Sequence, residues 1–106
     1  MARIAAIAPD LFFASKVKET LTAAGHEVTI VPPGEPVDAD LLIVDLDVAG
    51  DEVALPTDAP RLGFYSHVDV ETRRRAEDSG FDLVVPRSRM AREMPELVER
   101  VLGSAH

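Results

Sequence analysis

The apolar residues of this chain change their period several times along its length, and those changes predict its elements. Ile4, Ala5, Ala6, Ile7 and Ala8 form a short apolar run, so residues 3–8 read as a strand that stops at Pro9-Asp10. Asp10 is a good helix N-cap, because its carboxylate can accept a free backbone N–H of the first turn. Beyond it Phe13, Val17 and Leu21 recur every four residues, with Ala14 and Ala24 on nearly the same face, which predicts a helix over 11–24. Gly25 ends it, as glycine does where the backbone turns left-handed. Residues 26–31 carry the β-branched Val28, Ile30 and Val31 and read as a second strand. The prolines at 32, 33 and 36 then forbid a helix of any length.

Residues 40–46 form the clearest buried strand. Leu41, Leu42, Ile43 and Val44 follow one another between the carboxylates of Asp40 and Asp45, as in a central parallel strand covered on both faces. Residues 47–60 are weakly patterned and hold at most a short helix. A fourth strand at 62–65 breaks at Ser66-His67. A helix over about 70–79 is stopped by Gly80, and a fifth strand at 83–85 is closed by Pro86. Leu97, Val98, Val101 and Leu102 mark a last helix with Pro95 near its first turn, leaving 88–94 as loop or a separate turn. Strands alternating with helices imply a parallel sheet, and right-handed crossovers place helices on both of its faces. The expected architecture is a three-layer α/β/α sandwich with five parallel strands, its second and third helices shortened or missing. At 106 residues it forms one domain spanning 1–106.

Charge and composition narrow the chemistry. The formal net charge of −8 disfavours nucleic acid as a partner, since that binding neutralises phosphates with Lys and Arg. Eight of the 11 basic residues lie after residue 60, whereas residues 35–58 carry acidic side chains and no basic one. Such a divided surface suits a protein partner better than a membrane. The absence of cysteine excludes thiolate metal sites and thiol nucleophiles. There is no Arg-rich segment leading into an apolar one and no run long enough to span a bilayer, so a cytoplasmic protein is expected.

The strand 40–46 resembles the third strand of response-regulator receiver domains, with Asp45 where their phosphoacceptor aspartate sits. Residues 73–85, with Ala76, Ser79-Gly80-Phe81-Asp82 and Leu83-Val84-Val85, resemble their fourth helix and fifth strand. The resemblance places Ser66 at the Thr or Ser that senses the phosphoryl group and Arg87 at the receiver lysine. It implies a flavodoxin-like sheet in the order 2-1-3-4-5. The two acidic residues that hold Mg²⁺ in receivers are replaced by Ala8 and Pro9, and Val84 stands near the receiver's switching aromatic. Mg²⁺ demands a tight octahedron of oxygen ligands, for which Asp10, Asp45 and Asp47 are a poor set. A degenerate, or pseudo-receiver, type is therefore expected.

Three functional readings stay open. The first is a regulatory protein-interaction module, binding a protein partner or a second copy, with no cofactor and an incomplete phosphoacceptor site. The second is a phosphorylatable receiver that uses Asp45 and Mg²⁺. The third is a small domain that binds or converts an anion or phosphometabolite at Ser66, His67, Arg87 and Arg89, with Arg92 nearby. Against the third, Ser66-His67-Val68-Asp69 also matches a capping box. Arg73-Arg74-Arg75 reads as a solvated helix face. No glycine-rich phosphate loop follows the first strand, and neither H-E-x-x-H nor G-x-S-x-G occurs, which favours a binding module over an enzyme.

Overall fold

The computed structural model describes residues 2–8, 10–31, 39–46, 60–66, 74 and 81–104. Five strands, β1 (Arg3–Ile7), β2 (Glu27–Ile30), β3 (Leu41–Asp45), β4 (Arg61–Tyr65) and β5 (Leu83–Pro86), form one sheet in the order β2-β1-β3-β4-β5. All four pairings are parallel. The described helices are α1 (Leu11–Ala23) and α2 (Arg87–Ser104). Every residue of β3 is buried, which is why its sequence shows no alternation. At the edge, β2 buries only Val28.

The two faces of the sheet have separate cores. On one, α1 supplies Phe13, Ala14, Val17 and Leu21, and α2 supplies Met90, Met94, Leu97, Val98 and Val101. They close over Ile4, Ala6, Ile43, Leu62, Phe64 and Val85. The Phe13 and Phe64 rings meet with centroids 4.7 Å apart. On the other face Ala5, Ile7, Leu42, Val44, Leu46, Tyr65 and Phe81 pack together. Gly63 belongs there because a Cβ would stand 2.9 Å from the Phe81 ring. The shortened second and third helices, and nearly all of the helix expected over 70–79, lie outside the described residues. Arg74 is described, and it is helical and exposed.

Each terminus of α1 is built as its sequence implies. The Asp10 carboxylate accepts from the backbone N–H groups of Phe12 and Phe13, at 3.0 and 3.4 Å. At the other end Gly25 has φ 95°, and His26 and Gly25 donate back to the carbonyls of Leu21 and Thr22. Ala24 is exposed, contrary to its expected place on the buried face, because it sits at the cap where the helix has ended. A second correction concerns residues 88–94, which are not a loop. Helical structure begins at Arg87, and the one non-helical residue within α2 is Glu93, at φ −117° and ψ 20°. Pro95 forces that kink, since it has no N–H to donate to the preceding turn and its ring crowds the carbonyl there. It therefore lies near the start of the second helical segment.

Two aspartates fix the entries of neighbouring strands in the same way. Before β3, Asp40 donates its N–H to the Arg3 carbonyl at 2.7 Å and accepts the Arg3 N–H on its carboxylate at 2.8 Å. Before β5, Asp82 makes the equivalent pair with Arg61, at 3.0 and 2.8 Å. The carboxylates that flank the apolar strands thus satisfy the first backbone group of the strand beside them.

Candidate functional site

The carboxyl ends of parallel strands are where open α/β sheets gather their functional side chains. Here β1 leads to Asp10, β3 ends in Asp45, β4 leads to Ser66 and β5 leads to Arg87. The residue that organises this end is Arg87. One terminal nitrogen of its guanidinium donates to Asp10 Oδ2 at 2.5 Å, and the other donates to Ser66 Oγ at 3.4 Å. Its central carbon lies over the Phe13 ring, 4.4 Å from the centroid, in cation–π contact. Three elements distant in sequence, the start of α1, the end of β4 and the start of α2, are joined by this one side chain.

Asp10 divides its oxygens between two tasks. Oδ1 caps α1 and Oδ2 binds Arg87. The Arg87 hydrogen bond, followed by the capping N–H of Phe13, holds its carboxyl below the ordinary value for an aspartate, because all of these donors favour the charged form. Asp45 is 2% exposed at the end of β3. Ala8, just beyond the end of β1, is buried and brings no side-chain oxygen. Among the described residues no three acidic or histidine side chains converge as a metal-ligand set. Asp47 and His67, both candidate site residues in the sequence, lie outside the described residues.

Arg89 and Arg92 turn elsewhere. Both pair with Glu93 at the kink of α2, at 3.4 and 3.5 Å. Of the candidate anion site, then, Ser66 and Arg87 are brought together and Arg89 is held by its own helix. A cleft of about 420 Å³ opens beside Arg87 between α1 and α2, with Phe13, Lys16, Ser66, Pro86 and Ser88 among its lining. Lys16 and Ser88 were invisible as site residues in the sequence. Their signal is topological: α1 and the helix after β5 pack on the same face of this sheet.

The buried His26 also escapes sequence reading. Its Nδ1 accepts the backbone N–H of Ala2 at 3.2 Å, so its Nε2 carries the proton and donates to Glu99 Oε1 at 3.2 Å. It ties the start of β2 to the entry of β1 and to α2.

The sequence matches no protein-family model and no curated protein. The fold, however, is that of response-regulator receiver domains. A CheY-like receiver domain protein from Methanospirillum hungatei is 16% identical and superimposes with a TM-score of 0.84, over 99% of this chain and 96% of that one. The non-phosphorylated HemR receiver domain from Leptospira biflexa is 22% identical, with a TM-score of 0.77 over 96% of this chain and 94% of that one. NtrX from Brucella abortus, solved in complex with ADP, is 16% identical with a TM-score of 0.77. That match covers 98% of this chain, which spans 27% of the NtrX chain. The flavodoxin-like order expected from the resemblance is the order observed. Among the described residues no helix is long and apolar enough to cross a membrane.

Proposed function

We propose that this chain is a receiver-type signalling module that acts through protein contacts and not through Mg²⁺-dependent phosphorylation. One observation carries the reading: Asp10 is committed to the α1 cap and to Arg87. A receiver would need acidic oxygens at the end of β1 for its metal, and Ala8 brings none from its side chain there. The residues present do not fit Mg²⁺, which requires several unengaged oxygen donors in octahedral array. Arg87, in the place of the receiver lysine, is held by Asp10 and stacked on Phe13. Its fork cannot be exchanged for a flexible ammonium without loss of that geometry.

The contact surface in this reading includes the start of α1. Leu11 is 80% and Phe12 91% exposed there, beside the carboxyl end of the sheet. Adjacent large apolar side chains held in water suit a partner that covers them. The partner is a protein, a second copy of the chain being one form of it. The test is incubation of the whole chain with Mg²⁺ and beryllofluoride, or with acetyl phosphate, followed by fluorine NMR and intact mass. Unchanged mass and no bound fluoride signal are expected. A stable adduct at Asp45 would overturn the reading and establish a working phosphoacceptor.

A further inference from the structure

The cleft between α1 and the start of α2 has donors that the fold itself does not use. Lys16 lies in the middle of α1, exposed, and among the described residues it has no hydrogen-bond or ion-pair partner. The Ser88 hydroxyl is likewise without a partner among the described residues. Arg87 uses one hydrogen of each terminal nitrogen, toward Asp10 and Ser66, and its planar group has further N–H donors. These groups are among the lining of a cavity whose volume, about 420 Å³, is that of a small-ligand pocket. Phe13, Pro86 and Ala91 give the lining apolar surface, and Tyr65 and Ser66 complete it. The first turn of α2 contains no acidic residue, so its positive helix end is not neutralised from within.

We propose that this cleft binds a small organic anion: one phosphoryl or carboxylate head on an apolar body the size of a ring. The head is met by the Lys16 ammonium, the Ser88 hydroxyl and the outer N–H groups of Arg87. The body lies against Phe13, Pro86 and Ala91. Asp10 orients Arg87 and partly neutralises it, which favours a singly charged carboxylate or a phosphomonoester over a polyanion. The ammonium and the guanidinium are both partly in water, so affinity is of the order of 1 mM for a ligand of about ten heavy atoms.

Heteronuclear NMR titration of the whole chain with phenyl phosphate, benzoate, inorganic phosphate and benzyl alcohol tests this. Phenyl phosphate or benzoate is expected to give saturable amide shifts confined to residues 13–17 and 86–91, and the tighter of the two names the head group. Inorganic phosphate and benzyl alcohol each lack half of the recognition and should bind at least about fivefold more weakly. Lys16→Gln, at an exposed position, should weaken the organic anion about fivefold, the upper range for a solvent-exposed charge pair. Ser88→Ala should weaken it further in the same background. Failure of both organic anions to saturate, shifts centred elsewhere, or equal binding by Lys16→Gln would overturn the proposal. A beryllofluoride adduct at Asp45 leaves these expectations unchanged, so the two readings fail separately.

Discussion

Gly63 is the most direct test of how the β4–β5 half of the sheet is packed. It lies in β4, buried, with Phe81 across it on the face opposite to α1 and α2. A Cβ there would stand 2.9 and 3.0 Å from two atoms of the Phe81 ring and 3.0 Å from the Leu46 Cδ1. Real Cβ contacts do not reach that distance, so the ring must move. Inserting a methyl into a filled core costs about 1–3 kcal/mol. The backbone offsets part of this, because alanine in place of glycine restricts the unfolded chain and stabilises by about 0.4–1 kcal/mol. Gly63→Ala is therefore expected to destabilise by about 1–2 kcal/mol, which lowers the Tm of a domain this size by roughly 5–10 °C. Urea unfolding followed by circular dichroism measures it. The decisive arm is the Phe81→Leu background, where the flat ring is gone and the cost of Gly63→Ala should fall by about 1 kcal/mol. Equal destabilisation in both backgrounds, or a neutral Gly63→Ala, would refute the packing argument.

Four other outcomes follow from the named contacts. Asp10 is held below its ordinary value mainly by Arg87, so its contribution to stability is full above the unfolded carboxyl value and is lost as pH falls through the folded one. In Arg87→Met, carbon-detected NMR should find the Asp10 titration moved up toward the ordinary aspartate range, with a flatter acid dependence of stability; an unchanged titration would remove Arg87 as the cause. His26→Phe keeps the ring volume but orphans the Ala2 N–H, and should cost about 1–3 kcal/mol by urea unfolding. Glu99→Ala, whose side chain is 68% exposed, should cost under about 1 kcal/mol by the same assay. Phe12→Ser should leave Tm within the change expected of about 0.5 kcal/mol, because the ring is almost wholly in water.

The strands were legible because each problem they solve is local. Four consecutive apolar residues between Asp40 and Asp45 can be buried on both sides only in the middle of a sheet, and β3 is there. Asp10 and Gly25 marked the ends of α1 because a cap needs only its own residue and the next turn. Helix α2 was less legible. Pro95 announces a break, but whether the chain before it is loop or helix depends on whether Met90 finds a core, and Met90 is fully buried in the core on the α1 side of the sheet. The ladder of Asp40 with Arg3 and Asp82 with Arg61 depends on register, which the flanking charges suggest but do not fix.

The site was least legible where its residues answer to partners far along the chain. Asp10 and Arg87 are 77 residues apart, and nothing in either neighbourhood names the other. A capping role for Asp10 and a vestigial lysine position for Arg87 are separate local readings, and each describes half of the side chain. Joined, they give a different account of this end of the sheet. The two N–H groups of α1 fix one oxygen of Asp10, which leaves the other aimed at α2. Arg87 donates to that oxygen while its guanidinium carbon lies over the Phe13 ring, two contacts that suit a planar, delocalised cation. Arg87 and Asp10 thus hold each other in place. Arg87 also lines the cleft it shares with Lys16 and Ser88. It is this face of α1 and α2, and not the strand end at Asp45, where unengaged donors and an apolar wall come together.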